Sequence, residues 1–316
     1  MPLTNTQLRY YDANVLRLPA DKRAEYHQQV DRLIEHLRKK IKEHTQFRII
    51  KVMKAGSFAK YTILRKTNED PLDVDVVFYL EGEDVDHETY EGLSQQIFDF
   101  LVAAYPTKTV DQFTIQKRAA TVVFSGSGLS VDVVPVIAKA DQPEYGWQFS
   151  KDGTKTLTCA PGQIRFIKDR KDKDADFRTL VRLGKKWRNR HKDELKPLKS
   201  FTVELIMAYL LDRDGRDMKL EQRLSSFFLY LAQSELKEII YFAENKLPIG
   251  KFADPVVVID PVNSNNNVAS RIEEAERLSI TKKASESWET LHFASAENDT
   301  EIWKELFGPR FKVEDN

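Results

Sequence analysis

Short apolar runs in the first half of the chain predict the strands of a sheet. The runs at 47–52, 76–80 and 113–124 are rich in β-branched and aromatic residues, as buried strands are. A fourth run, 129–137, follows the turn sequence Ser-Gly-Ser-Gly at 125–128, so the last two runs predict a β-hairpin. Together these strands indicate one central sheet.

In most of the remaining sequence, the apolar residues have the spacing of amphipathic helices. Apolar residues recur every three or four positions across 21–45 and 87–105, which predicts one long amphipathic helix and one helix that covers the back of the sheet. The second half of the chain is helical in pattern almost throughout and includes a predicted helix at 236–242. The expected fold class is therefore α+β, with a mixed twisted sheet and helices in 1–160 and a helical bundle in 161–316.

Two carboxylates precede the 76–80 strand in the sequence Asp73-Val74-Asp75. Residues i and i+2 of a strand project to the same face about 6.6 Å apart, so Asp73 and Asp75 share a face. A third carboxylate, Asp132, interrupts the apolar run 129–137, where a charge is costly unless it is paired or binds a metal ion. If the two strands are neighbours, the three carboxylates meet on one face and predict a site for two Mg²⁺ ions that supports in-line attack on a phosphate.

A Gly-Ser pair, Gly56 and Ser57, comes before a short predicted helix at 58–64. The first backbone N–H groups of a helix and the positive end of its dipole attract anions, and glycine allows close approach. This arrangement predicts a contact with the β- and γ-phosphates of a nucleotide. The alternative is that Ser57 is a plain N-cap, which is the commonest role of serine at a helix start.

Composition indicates a protein with a core and no membrane span. Of the 316 residues, 41% are apolar and 31% are charged, and the net charge is zero. No run of about 18 apolar residues predicts a membrane helix, and the first residues lack the apolar stretch of a secretory signal. The single cysteine, Cys159, excludes an internal disulfide. We therefore expect a cytoplasmic protein without membrane attachment.

Positive charge is concentrated in the stretch 163–199, which holds 14 Lys and Arg residues against 6 Asp and Glu residues. A solvated helical face is one explanation, and a surface for triphosphate or nucleic acid is the other. Within this stretch, Lys186 is expected at the surface. The apolar helix predicted at 200–211 contains Glu204, whose buried carboxylate needs a partner, and we expect a basic residue of the preceding helix to supply it.

Several of these segments resemble a known family when they are taken in order. The sequence from Gly56 to Thr62 has the form G-S-x-x-K-x-T, and D-V-D follows it at Asp73. Three more segments agree in order and spacing, namely R-L-G-K-K-W at 182–187, K-S-F-T-V-E-L-I at 199–206 and D-P-V-N-S-N-N-N-V-A at 260–269. The set resembles the polymerase-β-like nucleotidyltransferases related to oligoadenylate synthetase and cGAS, and most of all the CdnC branch of the bacterial CD-NTases.

This resemblance implies a fold, a reaction and a set of site residues. It implies a polymerase-β-like lobe that makes a cyclic oligoadenylate, a trinucleotide, from ATP in anti-phage (CBASS) signalling. It implies that Asp73, Asp75 and Asp132 hold two Mg²⁺ ions, with Mn²⁺ as the alternative. The residues implied in triphosphate binding are Gly56, Ser57, Lys60, Thr62, Lys185 and Ser200. Ser200 has a second interpretation, as the N-cap of the helix that follows it.

The same resemblance implies partners. A HORMA-domain activator would dock on the synthase, and a Trip13-like ATPase would remove it. Nucleic acid bound by the stretch 163–199 is a further candidate activator, and other ribonucleoside triphosphates are further candidate substrates. Two alternatives stay open. One is a linear oligoadenylate synthase or tRNA-type nucleotidyltransferase, and the other is a non-catalytic nucleic-acid sensor that would tolerate loss of the three carboxylates.

Overall fold

The computed structural model describes residues 2–70, 72–82, 85–116, 119–150 and 153–314. The chain forms two compact units, and neither is continuous in sequence. The sheet unit consists of Leu18–Lys66 and Pro71–Arg165, and the helical unit consists of Met1–Arg17, Thr67–Asp70 and Phe166–Asn316. The helical unit therefore includes the N-terminal segment and a four-residue loop, both of which a single division at residue 160 assigns to the sheet.

Seven strands of the sheet unit form one mixed sheet in the described residues. The strands of the chain are β1 (Ile49–Lys54), β2 (Asp73–Leu80), β3 (Phe113–Ile115), β4 (Ala120–Phe124), β5 (Leu129–Lys139), β6 (Gln142–Phe149), β7 (Lys155–Thr158), β8 (Ile259–Asp260) and β9 (Asn263–Asn267). The order across the sheet is β1-β2-β5-β4-β3, with β6 paired to β5 and β7 to β6. β2 and β5 run parallel, and β4 and β5 pair antiparallel as the predicted hairpin.

The helices predicted across 21–45, 87–105 and 200–211 are present with slightly shifted ends. The helices of the described residues are α1 (Asn5–Tyr11), α2 (Ala20–His44), α3 (Gly56–Lys60), α4 (His87–Ala104), α5 (Ala160–Lys173), α6 (Phe177–Arg190), α7 (Lys192–Leu195), α8 (Ser200–Asp214), α9 (Leu220–Gln233), α10 (Glu274–Glu297) and α11 (Trp303–Phe307). A π-helical turn, Asp12–Leu16, follows α1, and a 3-10 turn, Val110–Gln112, precedes β3. No described helix is both long and apolar enough to cross a membrane.

Alternation along β2 divides its side chains between two apolar clusters. Val74 and Phe78 point into the large core of the sheet unit, which also contains the buried faces of α2 and α4. Val77 and Tyr79 point to the opposite face and into a smaller cluster that contains Val136 of β5. Because side chains alternate between faces along a strand, the residues at positions 73 and 75 share the face of the smaller cluster.

The helical unit departs from an all-helical bundle in one region. The helix expected at 236–242 is wrong: Glu235 and Leu236 have positive φ angles of 49° and 56°, which end helical structure after α9, and Ile240 instead forms a parallel bridge with Val258. The Asn-rich segment that follows Asp260 is strand β9, paired antiparallel with β8. The bridge between Ile240 and Val258 joins separate segments and has no local sequence signal.

Helix α6 is buried inside the helical unit. Trp187 donates its Nε1–H to Ser287 Oγ at 2.7 Å and packs edge-on against Phe227. Arg182, one turn earlier in the helix, is buried against Asp12, with Nη2 and Oδ2 2.7 Å apart. The helix is therefore fixed both by aromatic packing and by a buried ion pair.

Candidate active site

The three predicted carboxylates lie on one face of the sheet. β2 and β5 are parallel neighbours, and their register pairs Asp73 with Ser130 and Asp75 with Asp132. Side chains of residues paired in this way project to the same side of a sheet. Asp73, Asp75 and Asp132 therefore share a face, as the sequence predicts, and Val74 between the first two points into the large core on the other side.

Two of the three carboxylates accept hydrogen bonds from neighbouring residues. Asp132 Oδ1 accepts from Thr121 Oγ1 at 2.6 Å and from Gln116 Nε2 at 3.4 Å, and Asp73 accepts from the Ser130 hydroxyl. Among the described residues, no group of three or more His, Cys, Asp or Glu side chains is gathered as a metal-ligand set. The predicted role as metal ligands therefore stays a prediction.

The ionised forms of these carboxyls are disfavoured. Burial raises the pKa of Asp75 to about 6, and the charges of Asp132 and Asp73 add to the rise while Lys60 partly offsets it. Burial, followed by repulsion from Asp132, also raises the pKa of Asp73. Burial raises the pKa of Asp132. Three carboxyls of this kind fit a divalent cation, because its charge would stabilise all of them at once and their oxygens are the ligands that Mg²⁺ prefers.

Gly56 lies so close to Asp75 of β2 that only glycine fits. Its φ angle is 58°, in the left-handed region, and it is the first residue of α3. A Cβ atom at this position would overlap Asp75 Oδ2 and lie 2.7 Å from Asp75 Cγ. The Gly-Ser pair and the carboxylates, which are separate motifs in the sequence, are therefore in contact in the structure.

The rest of the Gly56–Thr62 motif forms α3 and the turn that follows it. The N-cap of α3 is Ala55, which makes no side-chain cap bond, so the interpretation of Ser57 as a plain N-cap is wrong. The Ser57 carbonyl accepts from the Thr62 N–H at 3.0 Å, which closes the turn after α3. Lys60 is buried, and its charge lowers the pKa of Asp75. A cation beside the carboxylates is the feature that supports a phosphate contact for Lys60.

The two other predicted phosphate contacts belong to the helical unit. Lys185, on α6, is buried and forms an ion pair with Glu204 of α8. The prediction that Glu204 pairs with a basic residue is therefore confirmed. Ser200 is the first residue of α8, whose N-cap is Lys199, so its interpretation as the N-cap is wrong. Phosphate contacts of Lys185 and Ser200 stay predictions.

Lys186 is buried, so the expectation that it lies at the surface is wrong. Its side chain is 4% exposed, and its Nζ donates to Asp70 Oδ2 and to Glu69 Oε2, both at 2.8 Å. Asp70 precedes Lys186 by 116 residues. The spacing of apolar positions within one helix carries no information about a partner so far along the chain.

Much of the positive charge in the stretch 163–199 is used in ion pairs. The Arg170 side chain is 2% exposed and lies 2.6 Å from Asp212, and Arg182 is buried against Asp12. Lys185 and Lys186 have the buried partners described above. Arg170 and Arg182, whose charges are held in these ion pairs, do not form a solvated face for a nucleic-acid backbone. The net charge of the stretch therefore overstates its capacity as a nucleic-acid surface.

Sequence analysis missed several residues that surround the carboxylates. Thr121 pairs with Asp132 across the β4–β5 hairpin, and this position follows from the hairpin register once the turn is fixed. Gln116 lies beside the same carboxylate. Lys66 lowers the pKa of Asp73, and its side chain covers Gly128 so closely that a Cβ there would overlap it. That contact requires the folded sheet, and no sequence signal indicates it.

Comparison with known proteins gives one consistent result. Residues 4–162 match the family described as the Second Messenger Oligonucleotide or Dinucleotide Synthetase domain. The chain is 58% identical over 316 residues to the CBASS oligonucleotide cyclase CdnC of Escherichia coli (strain KTE188), covering 100% of this chain and 99% of that protein. It is 34% identical to a cyclic AMP-AMP-AMP synthase of Escherichia coli (strain MS 115-1), with 94% of each protein covered.

Solved structures agree with these similarities. Two structures of E. coli MS115-1 CdnC, one with ATP and one in complex with HORMA-deltaN, match with a TM-score of 0.82 at 32% identity. Both matches cover 98% of this chain, and they cover 99% and 98% of the solved chains. On this sequence and structural similarity, the chain is a nucleotidyltransferase of the CD-NTase family and belongs to its CdnC group of CBASS oligonucleotide cyclases.

Proposed function

We propose that this cyclase makes a cyclic oligoadenylate of three units from ATP. The observation that supports the reaction most is the register of β2 and β5, with Asp73, Asp75 and Asp132 on one face and Gly56 against Asp75. The choice of adenylate rests on the relative named cyclic AMP-AMP-AMP synthase and on the CdnC structure with ATP. Other ribonucleoside triphosphates are candidate second substrates.

Each transfer step joins a ribose hydroxyl oxygen to the α-phosphorus of a nucleotide. The new P–O bond forms as the bond to pyrophosphate breaks, and the last step repeats this chemistry within one molecule to close the ring. In our proposal, Asp132 accepts the hydroxyl proton. Burial raises the pKa of Asp132, which makes its carboxylate a stronger base, and the hydrogen bond from Thr121 fixes its orientation.

Divalent cations are the implied cofactor, and CD-NTases in general depend on them. Two Mg²⁺ ions, or Mn²⁺ as the alternative, held by Asp73, Asp75 and Asp132 would neutralise charge at the α-phosphate and lower the pKa of the attacking hydroxyl. The carboxyls themselves supply hard oxygen ligands on one face. Their raised pKa values show that the ionised forms are disfavoured without a cation, and a bound cation would favour them.

In this proposal, the triphosphate is held by neutral hydrogen-bond donors and by cations. Gly56 lets the backbone approach the phosphates, and the Thr62 N–H supports the turn that presents Ser57. The side chains proposed to contact the β- and γ-phosphates are those of Ser57, Lys60, Lys185 and Ser200. Lys185 also forms the ion pair with Glu204 described above.

Regulation by a protein partner is proposed by similarity. The solved complex of E. coli MS115-1 CdnC with HORMA-deltaN supports a HORMA-domain activator for this chain too, and a Trip13-like ATPase would reverse the association. Activation by nucleic acid is the weaker proposal, because Arg170 and Arg182 of the basic stretch 163–199 are committed to buried pairs.

Product analysis tests the proposal. The purified enzyme is incubated with all four labelled ribonucleoside triphosphates and Mg²⁺, with and without a HORMA-domain protein and duplex DNA. Products are treated with phosphatase and identified by mass. A phosphatase-resistant cyclic tri-adenylate is expected. A linear product with a removable terminal phosphate would assign the chain to linear synthesis, and salt-dependent duplex binding without turnover under every condition would support the sensor alternative.

A further inference from the structure

Helix α3 carries two of the proposed phosphate contacts, Ser57 and Lys60, yet it is only five residues long. A helix this short does not hold its own shape in water, because its first turn fixes several residues for a single hydrogen bond. It also lacks a side-chain hydrogen bond at its N-cap. Contacts with other elements must therefore fix its position.

Both ends of α3 have a left-handed backbone conformation. Gly56 begins the helix at a φ of 58°, which glycine tolerates, and Tyr61 is the C-cap at a φ of 61°. A bulky residue in this region is an outlier that persists only where its surroundings enforce it, and such outliers cluster at ligand sites. The contacts that enforce the conformation of Tyr61 are therefore informative.

Arg23 of α2 holds this end of α3 through its guanidinium. The carbon Cζ lies 3.6 Å from the centre of the Tyr61 ring and 4.3 Å from the centre of the Phe58 ring. Nη2 donates a hydrogen bond to the Phe58 carbonyl, which is one of the last carbonyls of the helix. Basic side chains commonly bond to these carbonyls, because the end of a helix leaves them without their usual partners.

The same helix, α2, also holds the residue that leads into α3. Lys54 is the last residue of β1, and its Nζ lies 2.6 Å from Asp31 Oδ1 and 2.9 Å from His27 Nδ1. The His27 ring in turn lies 4.6 Å from the ring of the buried Phe58. Helix α2 therefore contacts the chain on both sides of Gly56.

Packing alone does not explain a guanidinium in this place. Burial disfavours the charge of Arg23 and lowers its pKa. Its Nε–H is buried without a hydrogen-bond partner in the described part of the chain. An apolar side chain of similar length would cover both rings without these two disadvantages. What the guanidinium adds is a directed hydrogen bond to the Phe58 carbonyl, which fixes the orientation of α3.

We propose that Arg23 is a positioning residue for the triphosphate: by holding Phe58 and Tyr61, it fixes α3 where Ser57 and Lys60 meet the β- and γ-phosphates. This inference rests on the proposed phosphate contacts of Ser57 and Lys60. It goes beyond them, because Arg23 acts through the protein and touches no substrate. All of these residues belong to the sheet unit.

Four variants test the inference. Arg23→Met removes the guanidinium and keeps an apolar side chain of similar length. Lys22→Met is the matched control, since it removes a neighbouring cation of α2 that pairs with the exposed Glu25. Arg23→Lys keeps the charge without the planar fork, and it replaces Arg23→Met if that variant does not fold. Lys60→Met tests the proposed phosphate contact by itself. Circular dichroism and thermal melts establish which variants are folded.

Amide hydrogen exchange is the first readout and needs no catalysis. In Arg23→Met, exchange is expected to speed up across 56–62 and to stay unchanged in β5, while Lys22→Met matches the wild type. Arg23→Lys is expected to lie between the two. Because exchange is measured on the nucleotide-free protein, its result stands even if the proposed reaction is wrong. Unchanged exchange across 56–62 in the folded Arg23 variant would overturn the inference.

Nucleotide binding separates positioning from a general loss of structure. Calorimetry with Mg²⁺ measures the Kd of a non-hydrolysable ATP analogue and of AMP, which lacks the β- and γ-phosphates. In Arg23→Met, the Kd of the analogue is expected to rise about tenfold and that of AMP to change by less than about twofold, because charge-assisted bonds to the outer phosphates are weakened. Equal weakening of both nucleotides, or an unchanged Kd for the analogue, would contradict the inference.

The Lys60→Met variant distinguishes a failure of this inference from a failure of the proposed function. If Lys60→Met weakens binding of the analogue and Arg23→Met does not, the positioning role alone is wrong. If Lys60→Met binds the analogue as tightly as the wild type, the proposed phosphate contact is wrong, and the positioning role is wrong with it.

Discussion

Gly56→Ala is the substitution for which the structure gives the sharpest expectation. The new Cβ would overlap Asp75 Oδ2 and lie 2.7 Å from Asp75 Cγ, and contacts below 3.0 Å to a Cβ are not tolerated. Because Oδ2 and Cγ are both too close, the Asp75 side chain has to rotate about its first torsion, and the carboxylate leaves its place beside Asp132. The substitution thus moves a carboxylate of the proposed site without mutating any of the three aspartates.

Two magnitudes follow from this geometry. An alanine held at a φ of 58° costs about 1–2 kcal/mol relative to glycine. A domain is stable by about 5–15 kcal/mol, so the variant is expected to fold. A displacement on the order of 1 Å in a reacting group can cost about 100-fold in rate. The loss of activity should therefore be far larger than the loss of stability explains.

The assay measures pyrophosphate release and the free energy of unfolding for the same preparations. Gly126→Ala is the matched control, because nothing lies within 4 Å of its added Cβ and its backbone needs no positive φ. We expect Gly126→Ala to stay within about twofold in kcat and within about 0.5 kcal/mol in stability. If folded Gly56→Ala keeps more than a third of wild-type turnover, the close contact between residue 56 and Asp75 is not needed for activity, and the reasoning is refuted.

Three further expectations concern charge in the two units. The pKa of Asp75 is raised to about 6, so its ionisation destabilises the folded state as the pH rises from about 4 to above 6. Asp75→Asn should therefore raise the stability of the metal-free protein at pH 7 by about 1–2 kcal/mol, which is less than the roughly 3 kcal/mol of the full shift because solvent screens the group. Thermal melts across this pH range should show that the gain vanishes near pH 4. Lys185→Met removes the ammonium that pairs with the buried Glu204 and should lower the free energy of unfolding, measured in urea, by about 3–5 kcal/mol. The double variant Lys185→Met/Glu204→Leu should recover most of that stability, and a double variant as unstable as the single one would contradict this expectation. Chelation of divalent ions should abolish turnover and added Mg²⁺ should restore it, whereas turnover that persists in excess chelator would argue against a metal-bound Asp73–Asp75–Asp132 site.

The parts of the fold that follow local rules were predictable from the sequence. Strand alternation puts Asp73 and Asp75 on one face whatever the rest of the chain does, and the short turn at 125–128 forces β4 and β5 to pair. The sequence predicts that Asp132 joins this face only if the two strands are neighbours. The parallel register of β2 and β5 confirms that they are.

Other features depend on contacts between residues far apart in the chain, which no local sequence pattern indicates. Lys186 looks like a surface residue on an amphipathic helix until Asp70, 116 residues earlier, is brought against it. The apolar segment at 236–242 has helical spacing, but the positive φ angles at Glu235 and Leu236 stop the helix. Net charge was similarly misleading, because the sequence shows that Arg170 is basic but does not show that it is buried against Asp212.

The central claim is that the carboxylates on one face of the sheet carry the chemistry, and Asp73→Asn tests it most directly. The change keeps the size of the side chain and removes its charge, and Asp141→Asn is the control, since Asp141 is an exposed partner of Lys139. Pyrophosphate release from ATP with Mg²⁺ should fall at least about 1,000-fold in Asp73→Asn and stay near wild type in Asp141→Asn. A purified, folded Asp73→Asn enzyme that keeps about a tenth of wild-type turnover or more would contradict the account.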